Sequence, residues 1–158
     1  MYAYFAGGCF WCITPSFTEV DGVKSVISGY CGGDEINPTY EEVKSQSTGH
    51  RETIRVEYDE TKESYKKLLD IFFDNVDLFD DGGQYIDRGF SYTLAVYYVD
   101  ENQKELAINK IDSYDNKVCV SLEPYKMFYS AEEYHQDYYL KNPEAFEKEL
   151  IESGRKKN

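Results

Sequence analysis

Two neighbouring stretches with different apolar periods constrain the fold most. In "ETIRVEY" (52–58), Ile54, Val56 and Tyr58 fall on one side, the two-residue alternation of a strand with one covered face. In "SYKKLLDIFFDNV" (64–76), Tyr65, Leu68, Leu69, Phe72, Phe73 and Val76 fall on one stripe, the spacing of a helix packed on a layer. Each can bury its apolar side only against a second layer. The same alternation of signals runs along the chain. "YAYFA" (2–6), "KSVISGYC" (24–31) and "SYTLAVYYV" (91–99) read as strands, and 102–114 as a modest helix. Ser130 and Glu133 have the spacing of a capping box, with Tyr129 and Tyr134 as its staple, and Asn142-Pro143 has the form of a helix start. The order predicts an α+β (α/β) two-layer sandwich, with residues 1–158 as a single domain free of linker or repeat.

Charge narrows the partners. Thirty acidic residues against 17 basic ones leave a net charge of −13, which argues against nucleic acid and anionic membrane. No apolar run approaches the ~20 residues of a membrane span. The four cysteines lack the density of a secreted scaffold, so reactive thiols in a reducing compartment are expected, with the cytoplasm as default. A strand signal beginning at Tyr2 leaves no room for a leader in the sequence as it stands.

The chemistry concentrates in "FAGGCFWC" (5–12), which also holds the one tryptophan of the chain. Cys9 follows Gly-Gly at a helix entrance, where unpaired N–H groups and the positive dipole end favour a thiolate. Pro15 lacks an N–H and suits only a first turn, so the helix is expected to start near residues 11–14. Cys12 stands three residues on, within small adjustment of disulfide geometry. Zinc would want a second paired motif, whereas Cys31 and Cys119 stand alone and His50 and His135 lie far away in sequence.

Four further positions draw interest. Glu52 shares the apolar side of its strand, so lost solvation should raise its pKa and keep it protonated near neutrality, as a general acid requires. Tyr92 shares a strand face with Leu94, Val96 and Tyr98, so its hydroxyl needs an internal partner or a ligand. Tyr40 follows a proline turn in "NPTYEEV", where a loop tyrosine could reach a pocket, and Asp87 sits in a loop within "GGQYIDRGFSY". A plain thiol–disulfide oxidoreductase would use Cys9 and Cys12 but leave Glu52, Tyr40 and Tyr92 idle. A tyrosine-rich interaction domain would use none of them.

Taken together and in order, "GGCFWC", "SGYCGG", "NPTYEEV", "TGHRE", "GGQYIDRGFSY" and "EEYHQDYY" resemble the A-type methionine sulfoxide reductases, the peptide-methionine (S)-S-oxide reductases. The match runs from about Phe5 to about Asn142. The resemblance implies a ferredoxin-like mixed sheet with flanking helices and a shallow, solvent-open pocket. It implies reduction of the S-epimer of methionine sulfoxide, free or in proteins, with no metal or organic cofactor. The family's nucleophile falls on Cys9, its methyl-holding aromatics on Phe10 and Trp11, and its proton donor on Glu52. Tyr40, Asp87 and Tyr92 match its pocket-lining residues.

Two departures matter. Many relatives keep resolving cysteines in a glycine-rich tail, but this chain has none after Cys119. Cys12 is therefore expected to resolve the oxidised Cys9, with Cys31 the second choice, an external thiol such as glutathione the third, and Cys119 the last. Thioredoxin would regenerate the first two, and glutaredoxin or glutathione the third. "NVDLFDDGGQYIDRG" also departs from the commoner Asn-x-Gln-Gly-x-Asp arrangement, so a different pocket rim is expected. A monomer is expected throughout.

Overall fold

The strand predicted at 2–6 runs through the middle of a mixed sheet. A computed structural model describes residues 1–152 and Arg155. Its strands are β1 (Tyr2–Gly7), β2 (Val23–Cys31), β3 (Arg51–Tyr58), β4 (Gly83–Gln84), β5 (Asp87–Arg88), β6 (Leu94–Tyr98), β7 (Val120–Pro124) and β8 (Phe128–Ser130). Its helices are α1 (Phe10–Ile13), α2 (Pro15–Thr18), α3 (Tyr40–Lys44), α4 (Tyr65–Asp74), α5 (Glu101–Asp112), α6 (Tyr138–Lys141) and α7 (Pro143–Glu152). Six strands form the main sheet in the order β7-β6-β1-β3-β2-β8, while β4 and β5 pair as a separate hairpin. All main-sheet neighbours are antiparallel except β6 and β7.

The helices lie against one face. Alternation along β1 sends Ala3 and Phe5 into the main core and Tyr4 and Ala6 into a smaller cluster on the other face. Phe5 is fully buried, its ring stacked 5.6 Å from Phe17, 6.1 Å from Tyr65 and 5.0 Å from Phe72. The α4 stripe therefore meets the sheet as its period predicts; Val76 lies just past the C-cap residue Asn75 and packs at the edge of the same core. On the opposite face Tyr4 stacks on Tyr125 at 4.4 Å. Phe5→Ala is expected to cost about 4 kcal/mol, because three aromatic neighbours cannot close in on the cavity. Urea unfolding checks this, and a loss under about 1 kcal/mol would contradict Phe5 as the keystone of the core.

Several local expectations need correction. Ser130 and Glu133 form no capping box: Ser130 closes β8, opposite Gly29 of β2, and the helical turn 133–135 has Glu132 at its N-cap without a side-chain bond. The backbone there satisfies itself in the sheet first, and Ala131 N–H continues the ladder to Ser28 O. A true capping box stands elsewhere, where Thr39 and Glu42 exchange bonds at the start of α3, so Tyr40 opens a helix instead of lying in a loop.

Tyr92 lies in the helical turn Phe90–Tyr92, before β6 begins at Leu94. Thr93 holds that turn, its N–H and hydroxyl both donating to Phe90 O. Tyr98, expected on the apolar face, is half-buried at the strand end with Lys104 over its ring. Proline at position 15 starts α2 where its missing N–H costs nothing, so α1 begins earlier than expected, directly after Cys9.

Candidate active site

Gly8 takes φ +87°, a left-handed conformation that favours glycine, and a Cβ there would stand 2.7 Å from Gln84 Cβ. This turn carries the chain from the end of β1 into α1 and sets Cys9 at the N-cap. Gln84 is itself fully buried, its amide bonded both ways to the backbone of Asp77. It ties the β4–β5 hairpin beneath the cysteine turn. Cys9 is half-buried and opens onto a cavity of about 290 Å³.

Glu52 reaches the same cavity from β3. It is 1% exposed, and Oε1 accepts the Phe10 N–H at 3.2 Å. Burial pushes its pKa up to about 8, against the downward pull of that bond, with the nearby charges of Asp87 and Cys12 adding to the rise. The Tyr92 hydroxyl, the least of these influences, pulls the other way. Burial thus acts in the direction that the strand alternation predicts.

The tyrosines arrive from separate elements. Tyr40 is placed by its N–H, which donates to Glu132 Oε2 at 3.1 Å, while Glu132 Oε1 accepts from Tyr30 OH at 2.8 Å. Ser91, beside Tyr92, is clamped by the Gln46 side chain through two bonds of 2.8 and 2.9 Å. Both hydroxyls stay un-ionised, pushed up by burial and then by the adjacent Glu52 charge. Asp87 stands on β5 rather than in a loop, half-buried at the cavity, with its pKa raised by burial and opposed by Arg155 and Lys44. Phe10 is completely buried as the floor, and Trp11 is a half-buried wall.

The thiols differ from the sequence expectation. Cys9 is held well above the ordinary thiol range, first by its hydrogen bond with Cys12, then by burial and by the charges of Cys12, Glu52 and Asp87. Cys12 is lowered by the same bond and by the Arg155 guanidinium, against the effect of burial. Within this hydrogen-bonded pair Cys9 is the thiol pushed up and Cys12 the one drawn down, and α1, with four residues, adds little dipole. Cys31 sits elsewhere: on the opposite sheet face it is fully buried, its pKa pushed up to about 12 by burial.

Four lining residues were not anticipated from sequence. Lys44 comes from α3, Ile86 from the β4–β5 turn, and Glu149 and Glu152 from α7, so the last described helix forms one side of the cavity. Glu41-Glu42 and Lys44 flank the Thr39 cap, which is the local signal that could have placed α3 and Lys44.

A thiol pair, a neutral buried carboxyl, two hydroxyls and an aromatic wall sharing one small cavity define a thiol-dependent reductase on an α+β sheet. Known proteins agree. The family model for peptide methionine sulfoxide reductase matches residues 1–158, and the chain belongs to that family. It is 46% identical over 161 residues to MsrA 2 of Staphylococcus aureus, covering 98% of this chain and 91% of that one. To MsrA of Picrophilus torridus it is 46% identical over 146 residues, covering 89% and 82%. Reduced Mxr1 of Saccharomyces cerevisiae superposes with TM-score 0.80 at 30% identity, over 91% of this chain and 86% of that one. Methionine sulfoxide reductase A of Corynebacterium diphtheriae gives TM-score 0.80 at 28% identity, over 90% and 74%. The enzyme reduces methionine sulfoxide to methionine, a repair of oxidised protein. Among the described residues no helix is long and apolar enough to cross a membrane.

Proposed function

We propose that the reaction runs through Cys9 on the S-epimer of methionine sulfoxide, free or in proteins, with Glu52 as proton donor and Cys12 as resolving thiol. One observation carries this: Cys9 and the buried Glu52 carboxyl open onto the same small cavity, walled by Trp11 and floored by Phe10. Sulfoxide oxygen holds negative charge, so its sulfur becomes electrophilic once oxygen gains a proton or strong hydrogen bonds. Glu52 gives that proton while the Tyr40 and Tyr92 hydroxyls support the oxygen. Cys9 sulfur bonds to the substrate sulfur, and its own proton passes to the Glu52 carboxylate. The hydroxyl then moves to Cys9 as the sulfur–sulfur bond breaks, methionine leaves, and Cys9 remains as a sulfenic acid. Asp87 orients a donor or a water at the rim. A chiral sulfur set among oxygen donors, a methyl wall and one exit admits a single epimer.

Cys12 suits the second step because it shares the cavity with Cys9 and its pKa is drawn down by the Cys9 hydrogen bond and by the Arg155 guanidinium. Its sulfur attacks Cys9 sulfur, the sulfur–oxygen bond breaks, and the leaving hydroxide takes the proton that Cys12 gives up and departs as water, closing a disulfide. Thioredoxin, or glutaredoxin with glutathione, returns two electrons. The four cysteines suit a reducing cytoplasm, and the enzyme is proposed to act there as a monomer.

The test is one equivalent of methionine S-sulfoxide without reductant. One methionine per chain and a Cys9–Cys12 disulfide in the peptide map are expected, and the R-epimer should give none. Cys12→Ser should still release one methionine and leave a sulfenic acid trappable by dimedone. Its thioredoxin-driven turnover should fall by about tenfold or more. Normal recycling by that variant would move the resolving role to another thiol.

A further inference from the structure

Arg51 and Glu52 are consecutive on β3, so the pleat sends them to opposite faces of the sheet. Glu52 enters the cavity, while Arg51 turns to the far side and is 6% exposed. In the sheet β1 separates β3 from β6, but it ends at Gly7 and the chain leaves toward α1. Across that opening the Arg51 guanidinium reaches the turn that carries Tyr92. Its Nε donates to Thr93 Oγ1 at 2.8 Å, and the group lies over the Phe90 ring at 4.4 Å. The Thr93 hydroxyl passes the bond on, donating to Phe90 O at 2.7 Å. The residues on either side of Ser91 and Tyr92 are held by one side chain from the strand of the proton donor.

The rest of the guanidinium is anchored as well. Nη1 donates to Tyr97 OH at 3.0 Å and to Glu123 Oε2 at 2.6 Å, and Tyr97 OH donates to Cys31 O at 3.2 Å. A planar fork fixed on β6 and β7 in this way has one orientation to offer the turn. The sheet ladder cannot do the same, because Tyr92 lies before β6 begins and outside its pairing with β1. The chemistry described above makes no use of Arg51.

We propose that Arg51 is a positioning residue for sulfoxide reduction: from the back of the sheet it locks the Phe90–Tyr92 turn to β3, and so sets the Tyr92 hydroxyl in place relative to the Glu52 carboxyl. This rests on Tyr92 supporting the sulfoxide oxygen. Lysine at position 51 would keep the charge and the pairing with Glu123. A point ammonium, however, has no fork to bond Thr93 as well and no plane to lie on Phe90. The turn would then be tied to Gln46 alone, through Ser91, and the hydroxyl would drift from the oxygen it serves.

Single-turnover methionine release over a range of methionine S-sulfoxide concentrations tests this. Tyr92→Phe and Arg51→Lys should each lower the saturated rate by about 10-fold, with the half-saturating concentration changed less than about threefold. Because Arg51 acts through Tyr92, the double variant should lie within about twofold of Tyr92→Phe alone, whereas independent losses would multiply to about 100-fold. Thr93→Val removes the acceptor but leaves the charge and its pairing, and should slow release by about 3- to 10-fold. Thr93→Ser, which keeps the hydroxyl, should restore the parent rate. An Arg51→Lys rate within about twofold of the parent, or losses that multiply in the double variant, overturns the proposal. Should Arg51→Lys fail to fold, the same cycle of Thr93→Val with Tyr92→Phe decides. If Tyr92→Phe itself keeps the parent rate, the role of that hydroxyl at the oxygen falls, and its positioning by Arg51 falls with it.

Discussion

Replacing Glu52 by glutamine is expected to slow sulfoxide reduction at neutral pH by about 10²- to 10³-fold, the usual worth of a positioned general acid. The change is close to isosteric, and the amide oxygen still accepts the Phe10 N–H that Glu52 Oε1 accepts at 3.2 Å. Backbone and cavity should therefore persist, and substrate affinity should change much less than rate. What disappears is the transferable proton. The Tyr40 and Tyr92 hydroxyls remain as donors, so residual activity is expected above background. Single-turnover release of methionine measures the effect, and a rate within about threefold of the parent would remove the general-acid role.

The same residue sets the alkaline limb. With its pKa near 8, the parent should lose activity as pH rises through that value, whereas the glutamine variant should show no such limb. Stability gives an independent reading with the opposite benefit. The folded carboxyl binds its proton up to about pH 8, while the unfolded one releases it near 4.5, so the folded state holds more protons between these values. Parent stability therefore falls across that window, by on the order of 4 kcal/mol in all. Glutamine does not titrate. Measured by urea unfolding, the stability difference should move in favour of Glu52→Gln from pH 4.5 to pH 8, and parallel pH curves would contradict a buried, proton-holding Glu52.

What could be read in advance follows from the range of the forces involved. Glu52 was legible because strand alternation alone assigns it to the face of Ile54 and Val56, and the sheet obeys that alternation. Cys9, Phe10, Trp11 and Cys12 were legible because they are contiguous, so one turn at Gly8 delivers all four to the cavity. Tyr92 was placed in the right cavity on the wrong element, since its turn is held by Thr93 and by a clamp from Gln46, distant in sequence. Ser130 and Glu133 carried the right spacing for a cap, but pairing of β8 with β2 satisfied the backbone there. The opposite shifts of the two thiols were out of reach for a similar reason. They come first from the Cys9–Cys12 hydrogen bond, then from burial, from Arg155 near Cys12 and from Glu52 and Asp87 around Cys9.

Cys9→Ser is expected to abolish turnover, lowering it by about 10⁴-fold or more, while leaving the cavity able to bind. Nucleophilicity accounts for part of the loss, because a serine hydroxyl is ionised far less than even a thiol whose pKa is raised. The larger part is the product. A sulfur can accept the substrate's hydroxyl as a sulfenic acid, but an oxygen at this position would have to become a hydroperoxide, with a weak oxygen–oxygen bond in place of a sulfur–oxygen one. No rearrangement of Glu52, Tyr40 or Tyr92 compensates for that. Trp11, Phe10 and Glu52 are untouched by the substitution, and Trp11 fluorescence should report sulfoxide affinity within about threefold of the parent. The same variant should also form no Cys12 disulfide and trap no dimedone. Methionine release by Cys9→Ser at rates approaching the parent's would transfer the attack to Cys12, the other thiol of the cavity.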